Sequence, residues 1–375
     1  MAERAVYFNY NGKEGGHDSI GVTEPANTWY LAEGYTGGDF DTWVLVQNPG
    51  SEDARVTLSF QLPPGKSAPD KEIVLPAGTR QSIHLDELEG LSDTDVSTKV
   101  TSDKPVVAER AVYFNYNGKE GGHDSIGVTE PANTWYLAEG YTGGDFDTWV
   151  LVQNPGSEDA RVTLSFQLPP GKSAPDKEIV LPAGTRQSIH LDELEGLSDT
   201  DVSTKVTSDK PVVAERAVYF NYNGKEGGHD SIGVTEPANT WYLAEGYTGG
   251  DFDTWVLVQN PGSEDARVTL SFQLPPGKSA PDKEIVLPAG TRQSIHRTSW
   301  KAFPTPTSPP RSPRTSRWWR SARCTSTTTA RKEGTTPSAS RNDSGWPAPG
   351  GNADSARGLP THARRNGLRF QPGGI

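Results

Sequence analysis

Apolar and polar residues alternate in short stretches along most of this chain. In the segment ARVTLSFQL (54–62), Val56, Leu58, Phe60 and Leu62 fall on one face and polar side chains fall on the other. A period of two residues predicts a β-strand with one buried and one solvated face.

Six further segments of the same unit carry this strand pattern. They are TWYLAE (28–33), TWVLVQ (42–47), KEIVL (71–75), RQSIHL (80–85), DVSTKVT (95–101) and VVAERAVYFNY (106–116). Clusters of Gly, Pro, Asp and Asn separate them, and such clusters predict turns. The glycine-rich segment GGHDSIG (121–127) is also interpreted as a turn, and only LDELEGL (85–91) suits a short helix.

The whole pattern repeats with a period of 106 residues. The segment AERAVYFNYNGKEGGHDSIG begins at Ala2, Ala108 and Ala214, and the copies are identical as far as His296, surface loops included. Such identity indicates a recent duplication or an artefact of sequence assembly, and it carries no information about function.

The repeat divides the chain into five parts. These are the terminal strand of a truncated preceding repeat (1–21), two complete repeats (22–127 and 128–233), an incomplete repeat (234–296) and a tail (297–375). About 100 residues with seven strands and no long helix are typical of an antiparallel, immunoglobulin-like β-sandwich. The predicted fold class is therefore all-β, as tandem sandwiches, and an eight-stranded barrel is the alternative.

The tail differs in character from the repeats. From Arg297 it carries 14 Lys and Arg against 3 Asp and Glu, and this composition predicts a disordered basic segment. Residues 297–342 can be generated by reading the repeat with one nucleotide lost after His296, so we interpret them as a frameshifted repeat. The alternative is a genuine basic arm that binds nucleic acid. No origin is assigned to residues 343–375.

Both ends of the repeated region have consequences. Met1 stands where the other copies have Val107 and Val213, so we interpret it as an internal GTG codon, which makes the missing signal peptide uninformative. The incomplete third repeat lacks two predicted strands and should fray or self-associate through an unpaired edge. Alternatively, the strand at residues 2–10 of a neighbouring molecule fills that edge by strand addition.

Charge and composition exclude some function classes. The repeat at 22–127 carries 8 Lys and Arg against 17 Asp and Glu, so it should repel a phosphate backbone and bind no nucleic acid. No apolar run approaches the ~18 residues of a transmembrane helix. The only cysteine, Cys324, lies in the tail, so the repeats hold no disulfide and no cysteine-ligated metal.

The segment WYLAEGYTGGDFDTW offers the clearest candidate ligand contacts. They are Trp29, Tyr30, Glu33, Tyr35, Asp39, Asp41 and Trp43, with Trp135, Tyr136, Glu139, Tyr141, Asp145, Asp147 and Trp149 in the second copy. Aromatic rings stack on sugars and carboxylates bind sugar hydroxyls, which suggests a glycan or a cell-wall polymer. The competing interpretation places the tryptophans in the sandwich core and the GGD in a turn.

Other polar residues carry weaker hypotheses. Asp39 and Asp41, with Glu24 and Asp124, suggest a calcium site, although the pattern DxDxDG is absent. No other cofactor is predicted. His84 is interpreted as structural, because it lies in the middle of a predicted strand with no second histidine nearby. His123 and Asp124 are neighbours in sequence and are also interpreted as structural, because adjacent residues of an extended chain point to opposite faces and no nucleophile setting accompanies them.

The strings WYLAEGYTGGDFDTWVLVQNPG (29–50), LPAGTR (75–80) and SDKPVVAERAVYFNYNGKEGGHDSIG (102–127) carry a resemblance that spans residues 1–296. They resemble an uncharacterised repeated module of large secreted or surface proteins of actinobacteria and chloroflexi. The resemblance implies an extracytoplasmic, non-catalytic role, and it supplies no functional residues. We therefore expect a stalk or adhesive array on a bacterial surface, or alternatively a carbohydrate-binding module attached to a hydrolase.

Overall fold

The computed structural model describes residues 1–296 and the strand Ser321–Thr327. This part of the chain consists almost entirely of antiparallel β-strands, which confirms the predicted all-β class. None of its helices is long and apolar enough to cross a bilayer.

The strands follow the repeat. The first segment holds β1 (Glu3–Tyr10) and β2 (Lys13–Ile20). The first full repeat holds β3 (Ala26–Leu31), β4 (Asp41–Gln47), β5 (Ala54–Gln61), β6 (Lys71–Leu75), β7 (Arg80–His84), β8 (Ser97–Tyr116) and β9 (Lys119–Ile126). Its one helical element is a 3-10 turn at Leu85–Glu87.

The second and third repeats continue the same order. The second holds β10 (Ala132–Leu137), β11 (Phe146–Gln153), β12 (Ala160–Gln167), β13 (Lys177–Leu181), β14 (Arg186–His190), a 3-10 turn at Leu191–Glu193, β15 (Ser203–Tyr222) and β16 (Lys225–Ile232). The third holds β17 (Thr240–Leu243), β18 (Trp255–Gln259), β19 (Ala266–Gln273), β20 (Lys283–Leu287) and β21 (Arg292–His296), and β22 is Ser321–Thr327.

The 20-residue strand β8 joins two four-stranded sheets. Its first half pairs with β3 and β5, which gives the order β6-β5-β8-β3. Its second half, from Val107, pairs with β4 and β9, which gives the order β7-β4-β8-β9. The two strands predicted at 95–101 and 106–116 are therefore one strand. The SDKP segment between them is a register shift opposite β3 and does not end the strand.

The interpretation of GGHDSIG as a turn is wrong. All of these residues except Gly127 lie in β9, which pairs along its whole length with the second half of β8. The turn is the preceding Asn117-Gly118, where both residues have positive φ, as a tight hairpin requires.

The core of the first repeat lies between its two sheets. It contains Trp29 and Leu31 of β3, Val44 and Val46 of β4, Val56 and Leu58 of β5, and Val100, Val106 and Ala108 of β8. These are the inward positions of the period-two pattern, so alternation predicted the buried face correctly. An equivalent core fills the second repeat.

The third repeat is completed differently. Strand β22 pairs with both β17 and β19, the position that the first half of β8 holds between β3 and β5. We expected all of 297–375 to be disordered, and Ser321–Thr327 departs from that expectation. Residues 297–320 and 328–375 lie outside the described residues, and they include most of the segment 297–342 that is predicted to be frameshifted.

Each complete repeat consists of a body followed by a hairpin. The hairpins are numbered along the chain as Glu3–Ile20, Glu109–Ile126 and Glu215–Ile232, so the first hairpin ends the truncated preceding repeat and the second hairpin ends the first full repeat. The first, second and third bodies are residues 22–106, 128–212 and 234–296. The predicted single terminal strand at 1–21 is thus a complete two-stranded hairpin, because β2 pairs with β1 throughout.

Candidate functional site

The candidate ligand residues do not converge on one open surface. Trp29 and Trp135 are each 1% exposed, and their indole Nε1 atoms donate to the carbonyls of Val106 and Val212 at 2.7 and 2.8 Å. Both rings fill the sandwich, so neither is accessible to an external sugar.

The side chains of the candidate tyrosines make contacts within their own repeats. Lys99 lies over the ring of Tyr30 at 5.7 Å from its centroid, and Lys205 lies over Tyr136 at 5.8 Å. The hydroxyl of Tyr35 donates to Asp93 at 3.0 Å. Tyr141 makes the equivalent bond to Asp199 at 3.2 Å.

Asp39 and Asp145 occupy the GGD turns, where their main-chain carbonyls accept hydrogen bonds from the amides of Asn115 and Asn221 at 3.2 and 3.1 Å. The turn is therefore tied to the hairpin of its own repeat. This is the turn role that was the competing interpretation of the GGD segment.

Trp43 and Asp41 belong to a polar cluster on the outer face of the second sheet. The Trp43 and His84 rings stack with centroids 4.2 Å apart and an interplanar angle of 4°. His84 Nε2 lies 3.5 Å from Asp41 and 3.3 Å from Asp86. The second repeat has the same arrangement around Trp149, His190, Asp147 and Asp192.

These Asp-His-Asp groups have donor atoms close enough to hold a metal ion. Each aspartate also has a partner already. Lys13 lies 2.6 Å from Asp41, and the main-chain amide of Thr42 donates to Asp86 at 2.9 Å. Asp124, which was also a candidate calcium ligand, lies outside this group and pairs with Arg4 of the first hairpin at 2.6 Å.

The most strongly organised polar site lies between the repeats. Arg110, on the second hairpin, is 1% exposed and contacts three carboxylates. Its Nε lies 2.8 Å from Glu33 of the first body, and its other two nitrogens bind Glu215 and Asp230 of the third hairpin, the latter at 2.8 Å. Glu215 also accepts the main-chain amide of Ala32 at 2.9 Å. Residues from three separate segments therefore meet at one buried arginine.

Burial and crowding shift the acids of this cluster. Desolvation raises the pKa of Glu33 to about 8, although Arg110 lowers it, and the neighbouring Asp230 and Glu215 raise it further. The pKa of Glu215 rises to about 7 for the same leading reason. One arginine cannot neutralise three buried carboxylates, so the cluster holds a proton near neutral pH.

A second arginine links the bodies. Arg186 of the second body is fully buried and binds Asp95, the hydroxyl of Ser97 at 3.1 Å and the carbonyl of Ala32 at 3.2 Å, all in the first body. Arg292 repeats these contacts one repeat later, on Asp201, Ser203 and Ala138. A side-chain bond between Gln153 and Gln61 accompanies the first set.

The hairpins also stack face to face, and glycine permits the close approach. A Cβ placed on Gly121 would lie 3.1 Å from the Cα of Gly227 in the next hairpin and 3.0 Å from the ring of Phe114. Aromatic rings surround this contact, with Phe114 edge-on to Tyr219 at 4.8 Å between centroids. The glycine pair in KEGGHDSI is therefore a packing feature between hairpins.

Sequence reasoning singled out Glu33 but missed Arg110, Glu215 and Arg186. One signal was available: the pair Glu109-Arg110 interrupts the apolar run VVAERAVYF in the middle of a strand. A charged pair at that place indicates a buried polar contact. One partner of Arg110, Glu33, lies in the same repeat, but Glu215 and Asp230 lie in the next copy, so a single copy could not identify the whole cluster.

A family model matches residues 9–239 and again residues 128–296, which together cover most of the chain. The chain belongs to a family of unknown function, DUF5719. The DUF5719 match agrees with an uncharacterised module, as the resemblance implied. No curated protein matches the sequence.

Two solved structures are similar in part to this DUF5719 chain. One is Thermotoga maritima 1070, at 18% identity and a TM-score of 0.26, covering 28% of this chain and 94% of that one. The other is the Anabaena sensory rhodopsin transducer, at 22% identity and a TM-score of 0.21, covering 23% of this chain and 95% of that one.

Proposed function

We propose that these repeats form a non-catalytic, adhesive array of a bacterial cell-surface or secreted protein. The observation that carries this proposal is the ionic cluster in which Arg110 joins Glu33, Glu215 and Asp230. The buried acids Glu215 and Asp230 bind Arg110 of the preceding repeat and so hold the two repeats together. Such contacts favour a rigid assembly of modules. The resemblance to surface modules of actinobacteria and chloroflexi supports the extracellular location.

The contacts between distant repeats favour a compact array over a long stalk. The main-chain amide of Ala244 in the third body donates to Glu3 of the first hairpin at 3.3 Å. Distant repeats therefore contact each other, and the reach of the molecule does not grow by one full module for each repeat. Gathered copies of a weakly binding surface would instead supply avidity.

A second candidate function is carbohydrate binding, and one surface favours it. A shallow depression between the first hairpin and the first repeat is lined by Tyr10, Trp43, Arg80 and Tyr113, among others. Aromatic rings beside a guanidinium suit a sugar. In the second repeat the equivalent Arg186 and Tyr219 are buried, so a site of this kind would occur in the first repeat alone.

A glycan array probed with the whole chain separates the two functions, with Trp43→Ala and Trp149→Ala as a matched pair of variants. The adhesive array predicts no saturable binding of free glycans that depends on Trp43. Saturable binding that is lost in Trp43→Ala and kept in Trp149→Ala would establish the carbohydrate-binding module in its place.

The surface location has its own test. An antibody raised against the repeat should detect the native protein in the cell-envelope fraction or the culture medium of the host. Detection in the cytoplasmic fraction alone would overturn the proposal.

A further inference from the structure

The third body contacts the first hairpin in the same way as the first body contacts the third hairpin. Ala32 donates to Oε1 of Glu215 and Ala244 donates to Oε1 of Glu3, at 2.9 and 3.3 Å. Ala32 and Ala244 occupy the same repeat position, as do Glu215 and Glu3. The first hairpin therefore stands where a later hairpin of the array would stand.

The sequence distances identify which hairpin it replaces. Ala32 lies 183 residues before Glu215, whereas Ala244 lies 241 residues after Glu3. These two separations together make four repeats of 106 residues. The contact pattern thus returns to its start after four repeats, which is the geometry of a closed ring.

We propose that this chain presents a binding surface for one further copy of the same repeat, a hairpin and a body, which completes a four-repeat ring. The proposal goes beyond the proposed function and does not depend on it. Three separate surfaces, each with a known counterpart inside the molecule, point to this one occupant.

The first surface is an acidic cluster without a cation. Glu3, Asp18 and Glu245 occupy the repeat positions of Glu215, Asp230 and Glu33, the three acids that bind Arg110. Within residues 1–296 no lysine or arginine forms an ion pair with these three, and Oε2 of Glu3 is buried without a hydrogen-bond partner. A further hairpin would place its own arginine there.

The second surface is the end of the hairpin stack. Arg4 pairs with Glu109 and Asp124 of the next hairpin, and Arg110 pairs with the equivalent Glu215 and Asp230. Arg216, the next in this series, keeps only the pair within its own repeat, with Glu139 at 3.0 Å, which is the equivalent of the pair between Arg110 and Glu33. A further hairpin would supply Arg216 with the glutamate and the aspartate that the equivalent Arg4 and Arg110 already bind.

The third surface is on the first body. Arg186 and Arg292 are buried against the preceding body, whereas the equivalent Arg80 is exposed, and its guanidinium bonds only to Ser82 of its own strand among the described residues. The depression beside Arg80 lies on the same face. The body of the added repeat would cover this face as the first body covers Arg186.

Hydrogen exchange at the far end of the molecule tests the ring. In an extended chain, the residues after His296 are replaced by the repeat sequence of residues 191–233 followed by that of residues 128–212. A ring predicts that this C-terminal addition slows amide exchange around Tyr10 and Arg80, near the N-terminus, by about tenfold or more. Slowing confined to the third body, next to the added repeat, would show a linear array and overturn the proposal.

A charge reversal adds a specific control. Asp18→Lys in the extended chain opposes the incoming arginine and should abolish the N-terminal protection, whereas Asp70→Lys, at an exposed position of β6's preceding loop, should preserve it. Equal effects of the two variants would contradict the assigned contact.

A second measurement uses the chain at its present length and does not require the extension to fold. Spin labels are attached to cysteines introduced at the exposed positions Ala5 and Glu236, with Cys324→Ser to remove the native thiol. The ring predicts one narrow, short distance between the first hairpin and the third body. A broad or long distribution would overturn the closure on which the proposal rests.

Discussion

Glu33 and Glu139 occupy the same position in identical repeats, yet their surroundings differ. Glu33 is enclosed by the third hairpin and shares Arg110 with Glu215 and Asp230. Glu139 has no such hairpin among the described residues, stays 27% exposed, and pairs with Arg216 and with His229 at 3.3 Å. Since the sequences are the same, the neighbouring hairpin alone produces this difference.

The two environments shift the acids in opposite directions. Burial dominates at Glu33 and raises its pKa to about 8. At Glu139 burial acts in the same direction, but His229 and Arg216 outweigh it and lower the pKa. The properties of a residue in a tandem array therefore depend on its place in the array as well as on the repeat sequence.

The largest expected difference in stability is between variants of Arg110 and of Arg216, the arginines that bind Glu33 and Glu139. Arg110→Met leaves three buried carboxylates without a cation and should lower the free energy of unfolding by about 3–5 kcal/mol. Arg216→Met removes a buried guanidinium whose one carboxylate partner, Glu139, is 27% exposed, so it should cost less, about 1–2 kcal/mol. Urea denaturation of the whole chain, followed by tryptophan fluorescence, measures both. Similar losses of stability would mean that the contacts of Arg110 with the third hairpin add nothing to its pair with Glu33.

The second comparison extends the test to the bodies. Arg186→Ala breaks buried, charge-assisted hydrogen bonds to the first body and should cost about 2–3 kcal/mol. Arg80→Ala changes an exposed copy of the same residue and should stay within about 0.5 kcal/mol. Thermal unfolding measures the stability of both variants. A large loss of stability for Arg80→Ala would contradict the exposure of Arg80 in the first body.

The glycine contact between hairpins gives a third matched pair. Gly121→Ala places a methyl group 3.1 Å from the Cα of Gly227 and 3.0 Å from the Phe114 ring, and should cost about 1–3 kcal/mol. At Gly227 the added Cβ meets only the Phe220 ring, at 3.2 Å or more, so Gly227→Ala should be nearly neutral. Equal melting temperatures for both variants would show that the hairpins do not stack this closely.

The strands were predictable because their signal is local. In β5, the alternation of Val56 and Leu58 with polar neighbours predicted both the strand and its buried face. The continuity of β8 was not predictable, because Pro105 and Ser102 read as a turn while the structure absorbs them in a register shift. Local composition cannot show that one strand serves two sheets.

The site was predicted only in part, for a different reason. Glu33 is a candidate because of its aromatic neighbours, but the other two acids of its cluster, Glu215 and Asp230, lie in the next repeat and meet it through Arg110. Trp29 was selected with it and proved to be a core residue whose indole bonds to Val106. In identical repeats, every copy offers the same candidates, so the sequence cannot tell which copies meet.

The stability of the chain should depend on pH through Glu33 and Glu139. Because the folded pKa of Glu33 is about 8, above its ordinary value of 4.5, the folded chain keeps a proton that the unfolded chain releases. This stabilisation is complete below about pH 4.5 and is lost as the pH rises through 8. Glu33→Gln mimics the protonated acid, so its stability relative to the parent chain should improve by about 1 kcal/mol per pH unit within that window.

Glu139→Gln is the matched control and should behave in the opposite way. The lowered pKa of Glu139 means that its charge stabilises the fold above the ordinary value of 4.5, so the amide should destabilise the chain at pH 7 and matter less in acid. Melting temperatures of both variants between pH 4 and pH 9 provide the measurement. If the two curves changed in the same direction, the neighbouring hairpin could not be the cause of the different acidities, because that hairpin is what distinguishes their surroundings.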